Sequence, residues 1–366
     1  MNEPAANYSF VPAQAGHAVP DRWQPIKVPR AEIAAEIDRL AERAVEPGAR
    51  RSSEIVHANA LDLGRGITPG LSIAIQVLRP GETIMIDRDN ANRVEFCLGG
   101  EGEALLGQRS FRVEKWSAWM VPSMTPRLYR NSGQQLLIWL SYSNQPLLER
   151  AGVYYADAVH DHPQAAPRRP GINQYARDTA PDIAISGDGA RLRGYEFLTD
   201  IEVVDNPPLL WPWREMLPHL SRRQGDDKRT IMLMYNPATG RRNGTTHSFF
   251  ATITSFPAGP LRPPPPRGHR HSSFATNYHF EGAGESVVDG QRFEWEAGDL
   301  MLSAPSWAEH SHGISERGAS VLTVQDHPFQ IGMGALIWQE DMAGPVLTLG
   351  SEPGQTGYVG PRLAGE

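Results

Sequence analysis

Two stretches of the chain carry the same turn and strand signals in the same order, and this repetition limits the fold more than any other feature. The first reads GGEGEALLGQRSFRVEKWSAWMVPSMTPR, from Gly99 to Arg127, and the second EGAGESVVDGQRFEWEAGDLMLSAPSWAEH, from Glu281 to His310. Each has a Gly-x-Gly turn, a short strand, a Gly-Gln-Arg turn and a Pro-Ser ahead of the next polar run. One β-domain therefore occurs twice. Short apolar runs surround both copies: LSIAIQVL, VEFCLG, EALLG, SAWMVP and QLLIWLSY before residue 150, then TIMLMY, FFATITSF, FATNYHF, ESVVD, DLMLSA and ASVLTV after residue 229. Turns such as Pro80-Gly81, Gly99-Gly100 and Ser132-Gly133 punctuate them, as an antiparallel barrel or sandwich requires.

The rest of the chain is accessory. Residues 1–30 are polar and proline-punctuated and read as an extended arm. Residues 31–45 place Ile33, Ile37, Leu40 and Ala44 at helical spacing, and Pro47-Gly48 stops that helix. Residues 150–230 form a mixed connector with short helices expected near 209–222. The 366 residues are long enough for two or three compact units. No apolar run has the length of a membrane span, and no charged start leads into an apolar stretch. A net charge of −7 lacks the basic footprint of a nucleic-acid binder. The single cysteine, Cys97, excludes an intrachain disulfide framework, fits a reducing cytoplasm, and reads as a small core hydrophobe.

Chemistry concentrates in the second copy. Five of the 12 histidines, His269, His271, His279, His310 and His312, fall within 44 residues. Side chains at i and i+2 on a strand share a face, so His269 and His271 can reach one ion. His310 follows the next strand and turn, after Pro305-Ser306-Trp307, and a small barrel can bring it to the same point. Three imidazoles suit zinc, manganese, nickel or copper, among other divalent ions. Beyond the triad, His312 is an expected proton donor or substrate contact. Asn277 and His279 continue the alternation into the interior, with His279 the better acid–base candidate.

The order HRHSSFATNYHFEGAG followed by GDLMLSAPSWAEHSHG resembles the cupin signature, with Ala275 where the usual cupin carries a glutamate ligand. More closely, YNPATGRRNGTTHSFFATITSFPAG, HRHSS, PSWAEHSHG, QDHPFQ and the Trp211-Pro212-Trp213 connector resemble the gentisate/salicylate 1,2-dioxygenase family of bicupins. The resemblance implies a mainly β fold of two double-stranded β-helix (jelly-roll) barrels, with short helices at the N-terminus and in the connector. On it, residues 1–65 are arm and helix, 66–150 the first cupin, 151–230 the connector, 231–345 the second cupin and 346–366 a tail. It implies a homo-oligomer, in keeping with the cytoplasmic location that the single cysteine suggests, in which three histidines hold Fe(II), and a hydroxylated aromatic acid and O₂ meet there for ring cleavage. His312, His279 and Gln325 would move protons. Asn277, Trp307 and Arg267 are substrate-contact candidates, with Trp338 lining the pocket and Arg229 and Arg262 offered by proximity.

The chain departs from that family in one respect. Members carry the iron in the first barrel, where the matching residues here are Asp87-Arg88-Asp89 and Arg127. Two carboxylates and a guanidinium are therefore expected to meet inside that barrel as a metal-free bidentate ion pair. Two other activities fit the sequence: a metal-dependent isomerase, lyase or hydrolase without O₂ chemistry, and a non-enzymatic small-molecule-binding cupin.

Overall fold

A computed structural model describes residues 23–46, 48–63, 65–157, 177–199, 201, 203–220 and 229–351, of which 61–63 and 177 by backbone alone. The arm before Trp23, the tail after Ser351 and parts of the connector lie outside the described residues.

The N-terminal barrel has two antiparallel walls. One runs Leu209–Trp211, Ala118–Val121, Arg93–Gly99, Leu137–Ser143, Ser72–Leu78, Arg51–Ile55; the other runs Thr83–Ile86, Arg127–Arg130, Glu101–Leu106, Arg109–Glu114. The C-terminal barrel is one sheet in the order Ile26–Val28, Leu300–Ala304, Ala275–Val288, His310–Gln325, Phe250–Phe256, Thr230–Leu233, with Gln291–Glu296 also paired to Ala275–Val288. Its two central strands are 14 and 16 residues long and serve both walls. They bend where the register slips, between His279 and Glu281 and again between Gly282 and Gly284. Glycine is required at that bend: Gly282 has φ +79°, and a Cβ there would lie 1.9 Å from the Gly318 carbonyl oxygen. Gly100 repeats the arrangement in the first barrel, with φ +77° and the Leu136 carbonyl oxygen 2.2 Å from a Cβ.

The large walls of the two barrels pack against each other. Ile73, Ile75, Val94, Phe96, Met120 and Leu140 from the first join Phe249, Ile253, Tyr278, Phe280, Leu322 and Val324 from the second in one core. Each barrel also has its own interior cluster, with Trp119, Tyr129 and Trp139 in the first and Trp295, Met301 and Val321 in the second. Strands such as Leu300–Ala304 are buried at every position. This is why runs like DLMLSA and LSIAIQVL read as continuous apolar segments rather than strict alternations.

Two sequence expectations change. The first helix runs Arg30–Glu42 and buries Ile33 and Leu40, but it ends before the exposed Ala44 because Arg43 turns extended and its carbonyl accepts from Arg51. The arm is no free extension at its end, since Ile26–Val28 adds a strand to the second barrel against Leu300–Leu302. Among the described residues, no helix is long and apolar enough to cross a membrane.

Candidate metal centre

His269 lies just ahead of the short strand Arg270–His271, which pairs with Ile337–Gln339 so that His271 stands opposite Trp338. An isolated antiparallel bridge joins His269 to His310, with backbone N–H donors 3.1 and 2.9 Å from the opposing carbonyls. Gly268 permits this approach, because a Cβ there would lie 2.7 Å from the His310 carbonyl oxygen. The proline run packs behind it: Pro264 lies where a Cβ on Gly313 would need to be. The result is a group of three imidazoles whose ligand atoms all lie within 4.8 Å of one another. Among the described residues, this is the one such cluster of His, Cys, Asp or Glu.

The surroundings suit a metal. The His271 Nδ1 donates toward the Ser273 carbonyl at 3.0 Å and lies 2.8 Å from the Ser273 hydroxyl, and the His310 Nδ1 donates to the Ala308 carbonyl at 3.0 Å. Those bonds fix the tautomer that leaves each Nε2 lone pair for an ion. Burial pushes the His271 pKa well below its ordinary value, with repulsion from His310 and His327 adding to it, so the neutral ligand form is favoured. Trp338 stacks on His269 with ring centroids 4.7 Å apart.

The other expected site residues separate into those near the triad and those that are not. Gln325 is there: its Nε2 lies 3.0 Å from the His271 Nε2. His312 is one strand step beyond His310, with Nδ1 2.8 Å from the Ser286 hydroxyl, which accepts from the Trp295 indole at 3.1 Å. His279 points inward but stacks on Trp295 at 3.8 Å, one layer away from the triad. Burial, and then His312, hold its pKa well below the usual range. Asn277 is buried and accepts from Thr323 Oγ1 at 2.8 Å. Trp307 lies under the Arg270 guanidinium at 4.6 Å. Arg267 is exposed and ion-paired with Asp341 at 2.9 Å. Arg229 lies over Phe256, and Arg262 reaches the Pro257 carbonyl.

Sequence reasoning missed His327 and Ser273. His327 starts the helix His327–Met333, 3.3 Å from the Gln325 amide nitrogen, with its pKa pushed down to about 3 by desolvation and then by His310. The phrase QDHPFQ held the signal, but only the fold places that helix beside the triad.

The first barrel corrects the expected ion pair. Asp87 is exposed, and it is its carbonyl oxygen that accepts from Arg127 Nη2 at 2.9 Å. The same Nη2 lies 3.0 Å from Asp89 Oδ2, so the contact is single rather than bidentate. Arg93 supplies the stronger partner, 2.6 Å from Asp89 Oδ1. The bidentate pair belongs to Arg88 and Asp157, at 2.6 and 2.8 Å.

No family model matches the chain. Curated relatives do: the chain is 25% identical over 302 residues to the 1-hydroxy-2-naphthoate 1,2-dioxygenase of Nocardioides sp. strain KP7, covering 81% of this chain and 71% of that one. It is 24% identical over 299 residues to the 5-aminosalicylate 1,2-dioxygenase of Comamonas sp., covering 78% and 72%. Among solved structures it resembles the salicylate 1,2-dioxygenase of Pseudaminobacter salicylatoxidans, with TM-score 0.68, 18% identity and coverage of 87% and 89%. Variants of that enzyme have been solved in complex with gentisate. The chain has a bicupin fold and is similar in sequence to gentisate/salicylate-type 1,2-dioxygenases, with its histidine triad at residues 269, 271 and 310 in the C-terminal half.

Proposed function

We propose that this protein is an Fe(II)-dependent dioxygenase that opens the ring of a hydroxylated aromatic acid. The carrying observation is the convergence of His269, His271 and His310 without a carboxylate among them. Fe(II), when bound, supplies a Lewis-acidic centre with open positions for the substrate hydroxyl and carboxylate and for O₂. The three neutral imidazoles leave the charge of the ion undiminished for binding an anionic substrate.

The remaining residues orient groups and handle protons. The carbonyls of Ser273 and Ala308 hold His271 and His310 in one tautomer. Trp338 covers the His269 ring and restricts water on that side. The Trp295 indole donates to Ser286, whose own hydroxyl hydrogen is then available to His312 Nδ1. That network places the mobile proton of neutral His312 on Nε2, where it can be given up. We assign His279 to holding Trp295 in place. Asn277, Trp307 and Arg267 remain proposed substrate contacts, of which Asn277 is the buried one. The lone buried Cys97 fits a reducing cytoplasm, and the exposed apolar residues of the connector support a homo-oligomer.

Oxygen uptake by anaerobically Fe(II)-loaded protein tests the reading, against gentisate, salicylate, hydroxynaphthoates, aminophenols and catechols. Uptake with a ring-opened product is expected for at least one hydroxylated aromatic acid. His310→Ala should lose bound metal and at least about 100-fold in rate, as removal of a ligand implies. Full activity in that variant would sink the assignment.

A further inference from the structure

Resting on the metal-triad reading, we infer that Gln325 is a fourth protein ligand, coordinating through its amide oxygen. In the antiparallel register Gln325 lies directly opposite Ala275, and paired positions point their side chains to the same face. Alanine leaves room there, and the buried Gln325 side chain reaches across to the triad. Its terminal amide atom is 3.0 Å from His271 Nε2, the lone pair left open by the Nδ1 contact to Ser273. Two donors about 2.1 Å from one ion and at right angles to each other are separated by roughly 3.0 Å. The amide atom thus stands where a neighbouring ligand would.

The other contacts of that atom fit an oxygen. Ser273 Oγ lies at 3.1 Å and His327 Nε2 at 3.3 Å, and both can donate a hydrogen. Without an ion, an amide N–H caps the His271 lone pair. With a cation on that lone pair, an N–H aimed at it is repelled, and a half-turn about the terminal amide bond puts Oε1 in the same place. Oxygen and nitrogen of an amide exchange places at little steric cost. An amide does not take up or release a proton near neutral pH, so this role suits Gln325 better than proton transfer. The ligand set becomes three imidazoles and one neutral oxygen. The amide oxygen is its weakest donor and the one a chelating carboxylate would displace.

The test uses full-length metal-free protein and Mn(II) alone. Water-proton relaxation counts the waters bound to the ion, and titration gives its affinity. Gln325→Ala is expected to bind Mn(II) about tenfold more weakly and to gain one bound water. Gln325→Glu, which keeps the length of the side chain, should hold the wild-type water count and bind more tightly than wild type. A residue that merely positions His271 would change affinity but not the water count, so equal counts in wild type and Gln325→Ala overturn the inference. His310→Ala separates the two readings. Loss of Mn(II) there alongside equal counts in Gln325→Ala leaves the triad standing and removes only the fourth ligand. Undiminished binding in His310→Ala removes both.

Discussion

Asp89 and His271 stand at matching places in the two barrels, and their surroundings set opposite chemistry. His271 is buried among imidazoles and kept neutral, the form that binds a metal. At Asp89, burial opposes ionisation, but the charge and hydrogen bond of Arg93, with Arg127 behind it, outweigh burial and hold the carboxyl below its ordinary range. A depressed carboxylate pKa contributes stability above the unfolded value, and that contribution is lost as pH falls through the folded value. Asp89→Asn leaves two guanidiniums without their shared counter-charge and should cost about 3 kcal/mol at pH 7. Urea denaturation is the check: the gap from wild type should narrow below about pH 4, where the unfolded carboxyl takes up a proton and the native one does not yet. An equal gap at pH 7 and pH 3 would contradict the assignment. Arg93 was not legible as the partner of Asp89, because nothing in the run RVEFCLG says which face of a doubly buried strand meets that carboxylate. Cys97 was legible: it is buried, and desolvation pushes its thiol up to about 12, leaving it unreactive.

Among the elements, the long strand Ala275–Val288 carries the largest constraint. It leaves the barrel contact, bends through Gly282 and Gly284, and then pairs with Gln291–Glu296. Gly282→Ala places a side chain at positive φ against the Gly318 carbonyl and should destabilise the protein by at least about 2 kcal/mol. Thermal unfolding followed by circular dichroism would show it, while Gly290→Ala, at similar φ with open space around it, should cost less. The Gly-x-Gly signal that revealed the repeat is therefore a requirement of the bend itself. The short strand Ile337–Gln339 and the helix His327–Met333 carried no comparable signal: each is brief, the strand is held by pairing with Arg270–His271, and the helix reaches a distant segment through the Phe329 N–H on the Ser248 carbonyl.

On the scale of the whole molecule, the two barrels share one core. Phe96 of the first barrel lies 5.4 Å from Phe280 and 6.3 Å from Tyr278 of the second, ring centre to ring centre. Phe96→Ala should cost about 3–5 kcal/mol, as large-to-small changes in a core do. Because that core joins the barrels, tryptophan fluorescence and circular dichroism should lose signal together, and two separated transitions would refute the shared core. The connector leaves Ile183, Leu192, Tyr195, Leu198 and Val203 between 53% and 74% exposed. Apolar surface of that kind in a chain of this length favours burial against further copies. Light scattering after size-exclusion chromatography should report a multiple of 40.4 kDa, and a monomer at micromolar concentration would remove that proposal.

The sequence by itself determined the repeated β-barrel, the three histidines that converge, and the lack of such a triad in the first copy. All three depend on local rules: strand side chains alternate, and tight turns demand glycine and proline. Tertiary structure alone decided that Gln325 meets His271, 54 residues away in the chain, that His327 and Trp338 crowd the triad, and that Arg93 joins Arg127 on Asp89. These depend on cross-strand register and on which face of a fully buried strand looks inward. Both are settled by packing between distant segments, and a strand buried on both faces carries no alternation from which either could be read.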